Sequence, residues 1–326
     1  MRRREFIAWL GAAALPTVAL AQQPTTRVRL VRLLSGFADD SLVESAFLPA
    51  LSRLGWNNGQ NVQIDQRFAA GDVDRLAILA KELVASQPDV IIAGGTPAAL
   101  ALQKETHTIP IVLIFVSDPV GAGLVDSLSR PGGNITGFSN VESTFGGKLL
   151  TLLKGIAPRM KQAAALFNPD TAPGRGLYQL GSFQAAARSL DLEAIEARVH
   201  SDTDIERVMV SLGSNQGGVL GFPDVFVTAH RKTIIELSIR HKVPTIYDNS
   251  DFAKDGGLLQ YGVNFADQYR RAASYVDQIL RGTKPGDLSV ELPTRYTFVI
   301  NLRTAKVLGL DVSQDMLSIA DEVIGE

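Results

Sequence analysis

Residues 89–125 decide the reading of this chain. They begin Asp89-Val90-Ile91-Ile92-Ala93-Gly94-Gly95-Thr96-Pro97. After a helical stretch they continue Ile111-Val112-Leu113-Ile114-Phe115-Val116-Ser117-Asp118-Pro119-Val120-Gly121-Ala122-Gly123. Each apolar run stops at small and polar residues that are expected to open a helix. Short, near-continuous apolar runs of this kind predict parallel strands buried on both faces. In open α/β sheets ligands sit outside the carboxyl ends of the strands. This stretch is therefore expected to form one wall of a cleft.

Upstream, Val28 to Leu34 reads as a first strand ending at Ser35-Gly36, followed by a helix with Val43, Phe47, Leu51 and Leu54 on one face. Pro49 is expected to kink or split that helix. Val62 to Phe68 alternates as a half-buried strand, and Asp72 is placed to cap the helix that carries Leu76, Leu79, Ala80 and Leu83. Downstream, the turn Arg130-Pro131-Gly132-Gly133-Asn134 precedes a short extended piece, Ile135 to Phe138.

The same order of elements then returns. Ala163 to Phe167, a helix over about 177–190, Leu192 to Val199, a helix opened by Asp202-Thr203-Asp204, Val219 to Phe222, a further helix and Val243 to Tyr247 repeat the first pass at an offset of roughly 130–136 positions. Alternating strands and helices in two tandem units predict two similar lobes with parallel sheets and right-handed crossovers. The tail, with strands near 257–264 and 296–301, is expected to cross to the first lobe and return.

The chain has 326 residues, of which 45% are hydrophobic and 20% charged, and no cysteine. Disulfides, thiolate metal sites and a cysteine nucleophile are thereby excluded. Residues 1–21 pair a basic start, Arg2-Arg3-Arg4, with a short apolar run and the small-residue end Ala19-Leu20-Ala21. That run is too short for a membrane-spanning helix, which needs ~20 residues. It is expected to be a cleaved signal peptide, with Arg3-Arg4 similar to a twin-arginine signal. Removing three Arg and one Glu from a chain of net charge −2 leaves −4. A mildly acidic chain offers no footprint for nucleic acid.

Candidate ligand contacts are the residues at strand ends. Gly95 and Thr96 precede Pro97 at a helix start; Thr96 is first a helix cap, and free N–H groups there also suit a carboxylate. Ser117 and Asp118 read as the same construction one strand over. Ser35 ends the first strand, Ser139 stands at the first crossing between lobes, and Asn168 and Asp224 end the equivalent strands of the second lobe. Asp224 is expected to cap a helix or to meet a solute ammonium by a charge-assisted hydrogen bond. Asp248 is the second candidate for that role. Tyr261, with Phe37, Phe138 and Tyr247, offers an aromatic face.

Other chemistries find little support. Gly121-Ala122-Gly123-Leu124-Val125-Asp126 lacks the third glycine of the dinucleotide fingerprint, and no GxxxxGK[ST] or GxSxG occurs. His107, His200, His230 and His241 are scattered without metal-ligand spacing. No cofactor and no metal are expected, and no catalytic residue is assigned.

The pieces Arg2-Arg3-Arg4-Glu5-Phe6-Ile7, Leu54-Gly55-Trp56, Gly95-Thr96-Pro97-Ala98-Ala99, Val116-Ser117-Asp118-Pro119-Val120, Arg130-Pro131-Gly132-Gly133-Asn134-Ile135-Thr136-Gly137 and Ala305-Lys306-Val307-Leu308-Gly309-Leu310 stand in an order that resembles bacterial ABC transporter substrate-binding proteins. The similar group is the one with type I periplasmic-binding-protein folds that includes tryptophan- and phenylalanine-binding receptors. The resemblance implies two Rossmann-like lobes joined by a hinge with three crossovers. It places residues 27–138 plus 262–284 in one lobe and 139–261 plus 285–326 in the other. It also implies a periplasmic location, capture of a small solute such as an amino acid or aromatic carboxylate, and delivery to permease and ATPase subunits. A sensor's ligand-binding module or an exported α/β enzyme are the alternative readings. The segment Thr171 to Gly176 departs from the family pattern.

Overall fold

Apolar runs bounded by glycine, proline and capping residues set the element order in the computed structural model, which describes residues 27–38, 41–248 and 251–325. The signal peptide expected at residues 1–21 lies outside the described residues. The first pass contains β1 (Arg29–Ser35), α1 (Leu48–Arg53), β2 (Val62–Phe68), α2 (Val73–Ala85), β3 (Val90–Gly94), α3 (Thr96–Glu105), β4 (Ile111–Val116) and β5 (Ile135–Ser139). The second contains α4 (Phe145–Ile156), β6 (Gln162–Phe167), α5 (Leu177–Ser189), β7 (Glu193–Arg198), α6 (Asp202–Ser214), β8 (Gly217–Gly221), α7 (Val225–Ala229), α8 (Arg231–His241) and β9 (Thr245–Tyr247). The tail adds β10 (Leu259–Gly262), α9 (Phe265–Leu280), β11 (Thr297–Asn301), α10 (Leu302–Leu308), α11 (Gln314–Ser318) and β12 (Glu322–Ile324).

The first sheet runs β2-β1-β3-β4-β5, all parallel. The second runs β12-β11-β10-β9-β8-β6-β7, parallel except where β10 meets β11. Its β7-β6-β8-β9-β10 portion repeats the order of the first sheet. Every residue of β3 and β4 is buried, because helices cover both faces. Helices α2 and α3 pack on one face of the first sheet. Helix α9 packs on the other through Tyr269, Ala272, Ala273 and Val276. Strand β5 lies in the first sheet while α4 packs with the core of the second; β10 lies in the second sheet while α9 packs on the first; β11 returns to the second sheet.

Three expectations need correction. The third crossing was placed after residue 284, but residues 288–291 stay on the first sheet: Ser139 N–H donates to Glu291 O and Glu291 N–H to Gly137 O, both at 2.9 Å. Pro49 sits where its helix changes type, in keeping with the kink or split expected there. A π-helical turn, Val43–Phe47, precedes α1 and places Pro49 within the first turn of α1, where a missing N–H is tolerated. No helix follows Ser117-Asp118-Pro119. Asp118 adopts φ +48° and its Oδ1 accepts the Gly121 N–H at 3.0 Å, which folds the segment into successive turns. Finally, Gly95, at φ +89°, is the cap of α3, and Thr96 is its first residue.

Candidate functional site

The carboxyl ends of the two sheets face each other across a narrow cavity of about 330 Å³, mouth included. The first lobe contributes Phe37, Gly95, Thr96, Pro97, Phe115, Ser117 and Phe265; the second contributes Thr171, Pro173, Pro223, Asp224, Val225, Thr228 and Asp248; Asn140 comes from the first crossing.

The first-lobe wall is aromatic above and polar below. Phe115 stacks on Phe265 with centroids 4.1 Å apart, and Phe37 meets Phe115 edge-on at 5.8 Å. Below them Thr96 Oγ1 accepts the Ser117 N–H at 3.2 Å. The Ser117 hydroxyl donates to Asn140 Oδ1 at 2.8 Å. These bonds tie the start of α3 to the end of β4 and to the crossing. With Oδ1 so engaged, the Asn140 amide is left with its NH₂ group as the donor.

The second-lobe wall is acidic. Asp224 caps α7, accepting the Phe226 N–H at 3.0 Å. It also accepts the Asn168 N–H at 2.7 Å and the Thr171 hydroxyl at 2.5 Å. Burial pushes its carboxyl up to about 6, against the pull of Thr171, Asn168, Phe226 and His230. Burial pushes Asp248 up to about 7; its own N–H opposes this and Asp224 adds to it. Beneath the pair, the Tyr247 hydroxyl donates to Val227 O at 3.2 Å. A site with two buried carboxyl groups, one raised further by the other, favours a cationic guest.

Of the residues singled out from sequence, Phe37, Gly95, Thr96, Ser117, Asp224 and Asp248 come together here. Ser35 is buried behind the wall, its Oγ accepting the Phe37 N–H at 3.2 Å. Asn168 holds its own turn, with Oδ1 accepting the Asp170 N–H; it lines the outer mouth of the cleft, not this cavity. Asp118 is used by its turn, as above. Ser139 is a buried strand residue whose hydroxyl donates to Val141 O. Tyr261 stacks between Phe145 and Tyr296, in the second-lobe core margin and away from this lining. Tyr247 is core, and Phe138 packs under Tyr275.

Sequence reasoning missed Phe115, Asn140, Thr171, Val225 and Phe265. Phe115 was hidden inside an apolar strand; a residue at φ +55° breaks the alternation. Thr171 lies in the irregular segment that ends in Pro173–Gly176, where Gly174 and Arg175 both sit at φ +56°. No group of three metal-ligating side chains occurs among the described residues, and among them no helix is long and apolar enough to cross a membrane.

Comparison with known proteins agrees with this geometry. A tyrosine-binding protein of Clostridioides difficile is 27% identical over 267 residues, covering 82% of this chain and 76% of the relative. The structure of an ABC domain from Streptococcus pneumonia in complex with L-Trp superposes with a TM-score of 0.83 at 26% identity, covering 91% of this chain and 99% of that one. The ligand-free, open structure of a Clostridium difficile substrate binding protein with adhesive properties gives 0.65 at 25% identity, covering 92% and 100%. At near-equal identity, the shape is thus closer to the L-Trp complex than to the open form. Residues 28–324 match the family described as ABC transporter substrate binding protein, and the chain belongs to that family, in a type I periplasmic-binding-protein fold.

Proposed function

We propose that the chain captures an aromatic amino acid, of the tryptophan or tyrosine class, by closing its lobes around it. The observation that carries this reading is the buried Asp224 and Asp248 pair opposite the Phe37, Phe115 and Phe265 wall. The carboxylates suit an ammonium. The phenylalanine faces suit a flat ring by offset or edge contact. The first-turn N–H groups of α3 and the Asn140 amide suit the solute carboxylate. Relatives described as tyrosine-binding and as L-Trp-bound support the same class.

In this reading the closed form docks on a membrane permease served by an ATPase. The leader with Arg3-Arg4 would place the chain in the periplasm. A thermal-shift screen of the protein from Gln22 onward, against amino acids, aromatic acids and sugars, tests the proposal. A solute at a hundredfold excess over its dissociation constant stabilises by about 2.7 kcal/mol. The largest shifts are expected from aromatic amino acids; a shift confined to sugars would refute the assignment.

A further inference from the structure

The two lobes touch where one side chain enters a notch that has none. A Cβ added at Gly36 would lie 2.9 Å from Val225 Cγ1, and one at Gly95 would lie 3.0 Å from the same atom. Beside them Gly71, at φ +84°, faces the Phe226 backbone, with a Cβ there 3.5 Å from Phe226 Cα. Val225 opens α7 and directly follows Asp224. It is 3% exposed and, being β-branched, has little rotamer freedom with which to retreat.

We propose that Gly36 and Gly95 form a socket for Val225, and that Val225 in this socket is the positioning residue that sets Asp224 against the first lobe when the cleft closes. The inference rests on capture by lobe closure. It assigns part of the closed state to a contact between the lobes themselves, beyond any contact with solute. Gly36 is the clean probe. Its φ is not in the left-handed region, so alanine fits the backbone. The three atoms nearest to the added Cβ all belong to Val225, so its tightest contacts are made across the cleft. Gly95 is unsuitable as a probe because it caps α3 at positive φ.

The test compares Gly36→Ala, Val225→Ala and the double variant by calorimetry and stopped-flow binding of L-tryptophan. Gly36→Ala is expected to weaken binding by about tenfold, mainly through faster dissociation, without moving the unliganded unfolding midpoint. Val225→Ala in the same chain is expected to restore most of it, as coupled neighbours do. Wild-type affinity in Gly36→Ala, or a double variant as weak as the product of both singles, overturns the socket. A second arm needs no solute. The chain has no cysteine, and the Cβ positions at 36 and 225 are 3.4 Å apart, close to the ~3.5–4.5 Å of disulfides. Gly36→Cys with Val225→Cys is expected to cross-link within one chain under mild oxidant, faster with L-tryptophan. Absence of the cross-link overturns the proposal; a cross-link in a protein that binds no amino acid leaves the socket standing and removes the solute assignment instead.

Discussion

Gln268 Oε1 accepts the backbone N–H of Phe115 at 2.8 Å, 153 positions away in the chain. The same side chain donates through Nε2 to Ser139 O at 3.0 Å. One buried amide near the start of α9 thus holds the end of β4 and the first crossing together. The β4–β5 register shifts between Leu113 and Val116, and Phe115 takes φ +55° there. A bulky residue in that region is strained by about 1–3 kcal/mol and persists only when its surroundings hold it. Gln268 is what holds it, and the Phe115 ring meets Phe265 as a result.

Gln268→Ala is expected to strand the Phe115 N–H and the Ser139 carbonyl. Each stranded buried group costs about 1–3 kcal/mol. Urea unfolding should show a lower midpoint, and amino-acid affinity should fall with it, because the aromatic wall loses its anchor. An unchanged midpoint would mean that water replaces both bonds.

Asp224 and Phe265 should fail in different ways. Asp224→Asn replaces an acceptor of three donors with a group that must turn an NH₂ toward one of them. Affinity is expected to drop by more than about tenfold for every amino acid alike, since a charge-assisted bond to ammonium is lost. Phe265→Ala should instead erase the preference for L-tryptophan over L-leucine, with a loss near 1 kcal/mol per aromatic contact. Competition calorimetry with both solutes separates the two patterns.

The acidic pair also sets a pH dependence. Asp224 and Asp248 rise from 3.8 to about 6 and about 7 on folding. The native chain therefore holds more protons than the unfolded chain between these values, and its stability falls as pH rises through them. The stabilisation from the protonated forms is full below 3.8 and is lost above about 7. Thermal melts of the unliganded protein should follow that slope, and Asp248→Asn should flatten its upper part. Affinity for an ammonium solute should run the other way and increase with pH across the same window. Melts of the variant with the wild-type slope would refute the role of Asp248.

The fold was legible because its signals are local and repeated. The runs Val90–Ala93 and Ile111–Val116 carry the buried-strand pattern, and their echo at Val219 and Val243 announces the second lobe. The strand-end rule pointed for the same reason to Thr96, Ser117, Asp224 and Asp248, which line the cavity between the sheets. What was not legible depends on backbone conformation and on contacts between lobes. Asp118-Pro119 looks like a helix start, yet a left-handed Asp118 and its bond to Gly121 turn the chain away. Phe115 looks like core because nothing local marks the bulge that Gln268 stabilises from α9. Val225 looks like an ordinary helix residue until Gly36 and Gly95 are seen across the cleft. Tyr261 has the position of a rim aromatic, but Phe145 and Tyr296 claim both its faces.

The most direct measurement is a calorimetric titration of the protein with L-tryptophan and with indole-3-propionate, which keeps ring and carboxylate but lacks the ammonium. L-tryptophan is expected to bind as one molecule per chain, and the des-amino compound to bind more weakly by about a hundredfold, the loss of a buried charged hydrogen bond. Equal affinity for the two, or no binding of L-tryptophan or L-tyrosine alongside saturable binding of a sugar, would contradict the assignment of Asp224 and Asp248 to an amino-acid ammonium.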